Sequence, residues 1–112
     1  MRCETKKYLY DIQKAAENIQ TFVAGKTFSD YQQDVMLRSA VERQFGIIGE
    51  ALVQMTKIDL PTAAQIPEYR RIIAFRNILI HGYAEVDDRI VWDIICEKLP
   101  VLLGAVQKLL RS

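Results

Sequence analysis

The sequence has few of the residues that stabilise disulfide-rich, turn-rich or membrane proteins. Two cysteines among 112 residues, Cys3 and Cys96, exclude a disulfide scaffold and favour a reduced, intracellular pair. Five glycines and three prolines are too few for an all-β protein with many turns. The apolar runs at 72–75 and 101–106 are far shorter than the ~20 residues of a membrane-spanning helix. No apolar segment follows the N-terminal residues, so no secretory signal is expected.

The charge is nearly balanced, with a formal net charge of +1. Binding to nucleic acid through bulk electrostatics is therefore not expected, although a local basic cluster remains possible. Half of the residues are hydrophobic, which favours a folded chain over a disordered one. The length indicates a single domain over residues 1–112. We expect a soluble, cytoplasmic protein without a membrane partner.

Apolar residues recur every three or four positions along most of the chain, which is typical of amphipathic helices. No strand pattern or repeat competes with this period. The fold class predicted is all-α, an up-and-down bundle of four to five helices. The intervening residues 57–66 are predicted to be a loop, and a fifth segment begins, or the fourth helix kinks, at Pro100. The predicted helices are 4–24, 28–56, 67–81 and 88–99.

Residues at the predicted helix ends support these boundaries. Gly25 is placed to follow the first helix, and Gly82 to follow the third. Thr27 is expected to cap the second helix, with Asp30 as its capping-box partner. Pro67 is expected at the first position of the third helix with Glu68 beside it, and Asp87 at the cap of the fourth.

Two glycines, Gly46 and Gly49, lie inside the predicted second helix and share one face. Each costs ~1 kcal/mol relative to alanine in a helix interior. Close approach of another backbone, from this chain or a second copy, would compensate for that cost. The alternative is that the helix simply tolerates two weak positions.

The segment from Arg70 to Tyr83 is where chemistry is most plausible, because it holds the only histidine of the chain. Histidine exchanges protons near neutral pH, and arginine presents a planar fork suited to phosphate. Asn77 lies four residues before His81, where it could select an imidazole tautomer. One histidine and scattered carboxylates give no metal-ligand spacing, so neither a metal site nor a cofactor is expected. The arginines are Arg70, Arg71 and Arg76.

A base beside a phosphate-binding arginine is sufficient to cleave RNA without a metal. The base activates the ribose 2′-OH, which attacks the adjacent phosphorus, and the arginine stabilises the developing charge. At ~100° per residue, however, Arg76 and His81 point about 140° apart around one helix. The arginine could reach round, or two copies could pair about this helix and share a cleft, and we favour the dimer.

An ordinary structural explanation exists for the same residues. A histidine in the last helical turn followed by glycine is a common helix ending. The three arginines could simply pair with Glu42, Glu50 or Glu68.

The segment Arg76-Asn77-x-x-x-His81-x-Tyr83 resembles the signature of the HEPN superfamily, and specifically of its HepT-like family of helical ribonuclease toxins. That signature is an arginine, usually with a polar residue after it, and a histidine a few residues further on. The HepT-like branch adds a tyrosine two residues after the histidine. Further segments resemble the family's other helices in the right order, so the resemblance covers nearly the whole chain. They are 41–51, 66–73, 86–92 and 99–100.

The resemblance implies properties that spacing does not show. It implies a homodimeric HEPN-like bundle with metal-independent endoribonuclease activity, in which Arg76 and His81 are catalytic and Asn77 is the polar neighbour. It also implies an antitoxin partner, a minimal nucleotidyltransferase of the MntA type, which transfers AMP from ATP to Tyr83. Arg70 and Arg71 are further candidates for contacts to the RNA substrate.

Two functions therefore stand side by side. The first is the ribonuclease of a toxin–antitoxin pair, favoured by the intact motif. The second is a non-catalytic helical binding module that partners the nucleotidyltransferase, favoured by the lack of a broad basic surface. The sequence does not distinguish tRNA, mRNA and rRNA as substrates, because all present the same 2′-OH and phosphate.

Overall fold

Helices make up nearly all of the computed structural model, which describes residues 1–81 and 86–112. Four long helices, three short helices and one π-helical turn occur there, and no strand is found in these two ranges. This confirms the predicted all-α class. The elements are α1 (Cys3–Val23), α2 (Phe28–Gln33), α3 (Val35–Ile58), α4 (Leu60–Ala63), α5 (Tyr69–His81), α6 (Asp88–Asp93), a π-helical turn (Ile94–Lys98) and α7 (Leu99–Arg111).

The core lies where α1, α3 and α7 bring their apolar faces together. In α1 the buried positions include Leu9, Ile12 and Ile19, which follow the helical period of the sequence. Val106 of α7 and Ile48 of α3 are also fully buried. Complete burial of each such side chain contributes ~1.5–3 kcal/mol to the stability of the folded protein. The apolar faces of these three helices therefore hold the bundle together. None of the helices in these ranges combines the length and apolar character that a membrane crossing requires.

The prediction of one continuous second helix is wrong, because the helix is interrupted at Asp34. Asp34 has an extended backbone (φ −112°, ψ 98°), and its carboxylate accepts a hydrogen bond from the Leu37 N–H at 3.0 Å. It therefore ends α2 and caps α3. Apolar residues keep the helical period on both sides of the break, so periodicity does not detect it. The capping box of Thr27 and Asp30 at the start of α2 is confirmed.

The predicted loop at 57–66 is also partly wrong. Helix α3 continues to Ile58, and Asp59 then caps the short helix α4. The Asp59 carboxylate accepts hydrogen bonds from the hydroxyls of Thr62 (2.8 Å) and Thr5 (3.1 Å), which ties the α3–α4 junction to α1. The bonds from Thr62 are the main reason that the pKa of Asp59 lies below its ordinary value.

The third predicted helix begins two residues later than expected. Pro67 and Glu68 form a turn, and Glu68 adopts a left-handed backbone (φ 58°) that no helix interior accommodates. Helix α5 is described as far as His81, and Gly82, the residue predicted to follow it, lies outside the described residues.

The remaining helix ends follow the predictions more closely. Gly25 has the left-handed backbone (φ 73°) of a residue that follows a helix. The Asp87 carboxylate accepts from the Arg89 N–H at 2.9 Å and caps α6. The fourth helix does not run regularly to residue 99, because α6 ends at Asp93 and a π-helical turn follows. Pro100 then lies in the first turn of α7, directly after this π-helical turn, and the backbone remains helical across the junction.

Candidate active site

Arg76 crosses from α5 to α3 and is held there by two hydrogen bonds. One Nη donates to the Glu50 carboxylate at 2.5 Å, and the other donates to the Asn77 amide oxygen at 2.9 Å. The side chain is only 23% exposed. Glu50 is itself oriented by the Gln54 amide, which donates to its other oxygen at 2.9 Å. The guanidinium is therefore fixed in place before any ligand arrives.

Gly49 makes this crossing possible, because the stem of Arg76 packs directly on it. A Cβ added at Gly49 would overlap the Cβ and Cγ atoms of Arg76. The prediction was close approach of another backbone, whereas the atoms that approach Gly49 belong to the side chain of Arg76. At Gly46 nothing lies within 4 Å of an added Cβ, so the same explanation does not apply there.

A cavity of about 490 Å³ opens between α3 and α5 beside Arg76. Positions 39, 42, 43, 46 and 50 on the α3 side follow one face of that helix, and Arg76, Leu79 and Ile80 form the α5 side. Among these, Arg43 is a cation that the sequence-based candidates did not include. Arg43 and Glu50 are seven residues apart and therefore lie on one face of the helix. This spacing is the feature of the sequence from which Arg43 could have been predicted. The lining residues are Ser39, Glu42, Arg43, Gly46, Glu50, Arg76, Leu79 and Ile80.

The carboxyl group of Glu42 has an unusual environment on the wall of this cavity. Its partial burial raises its pKa, and the nearby charge of Asp88 raises it further, while Arg38 acts in the opposite direction. Glu42 therefore takes up a proton more readily than an ordinary glutamate. Its charged neighbours are Asp88 of α6 and Arg38, which lies one turn earlier in α3.

His81 is the last residue of α5, is exposed, and does not line the cavity beside Arg76. This matches the separate directions expected from the helical spacing of the two residues. The Asn77 amide oxygen accepts from Arg76, and among the hydrogen bonds of the described residues none joins Asn77 to His81. Tyr83 lies outside the described residues.

Arg70 and Arg71 lie in the first turn of α5, away from the cavity that holds Arg76. Arg71 pairs with Glu68 at 3.0 Å, and Arg70 lies over the ring of Tyr69 and donates to its hydroxyl. Two of the three arginines thus form the ion pairs that the structural explanation anticipated, Arg71 with Glu68 and Arg76 with Glu50. In the part of the chain that the structure describes, no three potential metal ligands come together.

Comparison with known proteins finds relatives that match this chain over nearly its whole length. A family model described as "Ribonuclease HepT-like" matches residues 12–109. The chain is 36% identical to "Probable ribonuclease HepT" of Thermococcus cleftensis, over 97% of this chain and 98% of that protein. It is 32% identical to a protein named "Putative RNase TTE0752" of Caldanaerobacter subterraneus, over 96% and 95% of the two chains. No solved structure matches at a significant level. The chain belongs to the HepT-like ribonuclease family, which confirms the family that the sequence resembled.

Proposed function

We propose that this protein is a metal-independent endoribonuclease in which Arg76 and His81 act on the RNA backbone. The observation that carries the proposal is the fixed guanidinium of Arg76, held by Glu50 and Asn77 at the edge of an open cavity. The only imidazole of the chain lies on the same helix, exposed at its end. Membership of the ribonuclease family supports RNA as the substrate.

The reaction requires one base and one charge stabiliser. The neutral His81 imidazole takes the proton of a ribose 2′-OH, and the 2′ oxygen forms a bond to the adjacent phosphorus. The bond from phosphorus to the 5′ oxygen breaks, and that oxygen takes a proton from an imidazolium or from water. Arg76 stabilises the extra negative charge on the phosphoryl oxygens. The products are a 2′,3′-cyclic phosphate and a 5′-hydroxyl end.

A homodimer would bring these two groups to one phosphate. Arg76 is turned toward α3 whereas His81 is not, so one copy does not present both to a single cavity. Helix α5 buries none of its residues completely, and Ile78 and Ile80 are 51% and 46% exposed. Pairing of two copies along α5 would cover this apolar surface and place the histidine of one copy beside the arginine of the other.

The proposed reaction makes a direct prediction about the substrate. Purified protein in excess chelator is expected to cleave single-stranded RNA, and to leave the same sequence intact when every ribose is 2′-O-methylated, because the attacking hydroxyl is then missing. Gel electrophoresis measures cleavage. A 3′ end from which a phosphatase removes no phosphate identifies the cyclic phosphate. Cleavage of both substrates at one rate would contradict the mechanism. An intact RNA in every arm would favour the binding-module alternative, which is consistent with the internal ion pairing of Arg71 and Arg76.

We propose further that the protein is the toxin of a toxin–antitoxin pair and that an MntA-type nucleotidyltransferase modifies Tyr83. The tyrosine oxygen would attack the α-phosphorus of ATP, which transfers AMP and releases pyrophosphate. Tyr83 follows His81 by two residues, so an adenylate there adds bulk and negative charge near the position of the RNA phosphate.

Replacement of Tyr83 tests this regulation. The Tyr83→Phe variant lacks the acceptor hydroxyl, so it is expected to cleave RNA and to gain no AMP when it is co-expressed with the nucleotidyltransferase. Intact-mass spectrometry measures the modification, and the parent chain with the same partner is the control. If the parent is neutralised without any gain in mass, the antitoxin acts by binding, and the proposed modification is wrong.

A further inference from the structure

We propose that Arg43 is a second phosphate contact for RNA, acting from α3 on the cavity that Arg76 lines from α5. The inference rests on the proposed function insofar as RNA is the ligand. It assigns the main electrostatic attraction for the strand to a residue outside the motif that the sequence singled out.

The charges within the cavity support this assignment. Arg76 is already compensated by Glu50, whose two oxygens are occupied by Arg76 and by Gln54. The charged neighbours of Glu42 are Asp88 of α6 and Arg38, one turn before it in α3. Arg43 is exposed, and among residues 1–81 and 86–112 no carboxylate lies within salt-bridge distance of it. Within these two ranges, Arg43 is therefore the cation of the cavity that has no carboxylate partner.

Phosphate is the ligand that best fits such a cation. A guanidinium binds phosphate through a planar pair of N–H donors and remains charged at every physiological pH. The chain as a whole is nearly neutral, so attraction for RNA has to come from local positive charge rather than from a broad basic surface. Leu79 on the opposite wall offers apolar contact to a ribose or a base.

The two arginines that the sequence suggested as RNA contacts are placed less favourably. Arg71 is paired with Glu68, and Arg70 is engaged with the ring and hydroxyl of Tyr69. Along the axis of α5, Arg71 lies about 7.5 Å and Arg70 about 9 Å from Arg76, at ~1.5 Å per residue. Arg43 instead lines the same cavity as Arg76.

The test is a binding measurement that does not depend on cleavage. A fluorescein-labelled single-stranded RNA with 2′-O-methyl groups throughout serves as the probe, and fluorescence anisotropy gives its Kd at several salt concentrations. The variants are Arg43→Ala and, as a matched control, Arg111→Ala. Arg111 is an exposed arginine at the end of α7 and does not line the cavity, so its loss removes the same charge elsewhere.

We expect Arg43→Ala to weaken binding roughly tenfold at low salt, as expected for one charge-assisted hydrogen bond. The slope of log K against log salt should become shallower by about 0.7, the value for one phosphate of a single strand. Arg111→Ala should stay within about twofold of the parent and keep its slope. Thermal unfolding followed by circular dichroism checks that both variants fold, and light scattering checks their oligomeric state.

Equal weakening by both variants would overturn the proposal, because it would show a general effect of net charge. An Arg43→Ala protein that binds the RNA as tightly as the parent would overturn it as well. The same holds if the substitution changes only the oligomeric state or the binding of the antitoxin. Failure of the proposed ribonuclease activity is distinguished from failure of the proposed phosphate contact by a cleavage assay on unmodified RNA. A parent chain that binds the probe through Arg43, but leaves unmodified RNA intact, refutes the catalytic function and retains the phosphate contact.

Discussion

Alanine at Arg76 or at His81 is expected to lower the rate of RNA cleavage by roughly 10²- to 10³-fold. For His81 the reason is the loss of the only imidazole that can take the 2′-OH proton at neutral pH. For Arg76 it is the loss of a fixed charge at the phosphoryl group. Initial rates on a labelled RNA, with chelator present, provide the measurement. Arg76→Lys should fall between the parent and Arg76→Ala, because it keeps the charge but not the planar fork.

A matched control for the arginine is Arg89→Ala. Arg89 forms an ion pair with Asp93 at 3.5 Å and lies over the ring of Phe28. It belongs to α6 and does not line the cavity. Its loss should leave the cleavage rate within about twofold of the parent, as expected for an exposed ion pair. If His81→Ala cleaves as fast as the parent chain, His81 is not the base and the proposed mechanism fails.

The same two variants also test whether the site is shared between copies. Arg76→Ala and His81→Ala, mixed and allowed to exchange subunits, should recover part of the lost activity, since a mixed dimer retains one intact pair across the interface. No recovery after demonstrated exchange would place both groups within one copy.

Alanine at Gly49 is expected to destabilise the fold, whereas alanine at Gly46 is expected to stabilise it. At Gly49 the new methyl group would overlap the first carbons of Arg76, and the Cβ of Arg76 moves only if α5 itself moves. Overpacking of this kind costs about 1–3 kcal/mol in the free energy of unfolding. At Gly46 the methyl group meets no atom within 4 Å, so the higher helix propensity of alanine should add up to ~1 kcal/mol.

Urea unfolding followed by circular dichroism measures both changes, and the two glycines serve as controls for each other because they share α3. Gly49→Ala should also lower RNA cleavage by more than it lowers the folded fraction, since displacement of α5 moves Arg76 away from Glu50. A Gly49→Ala protein as stable as the parent would show that the two helices separate without cost, and that Arg76 is not held by close packing.

Local features of the chain were predictable from sequence because their causes lie within a few residues. The capping box at Thr27, the left-handed Gly25 and the cap at Asp87 each depend on neighbours one to three positions away. The break at Asp34 was missed for a related reason. Apolar periodicity reports which face is buried, and the same face is buried on both sides of the break.

Contacts between helices were not predictable in the same way. The sequence suggested Glu42, Glu50 and Glu68 as partners for the arginines without assigning them. It also suggested Asn77 as a partner for His81, whereas the Asn77 oxygen faces Arg76. Arg43 was not singled out at all, since its importance depends on α5 lying beside that face of α3.

The composition and the 3–4 residue period by themselves determined an all-α protein, and the motif around Arg76 and His81 indicated its family. Only the tertiary structure decided which arginine is fixed, which is exposed and which carboxylate compensates it. The physical reason is that helix formation and capping depend on residues near in sequence, whereas the charge at the site depends on groups that packing brings together from distant positions. Arg76 and Glu50, 26 residues apart, meet only because Gly49 lets α3 and α5 pack closely.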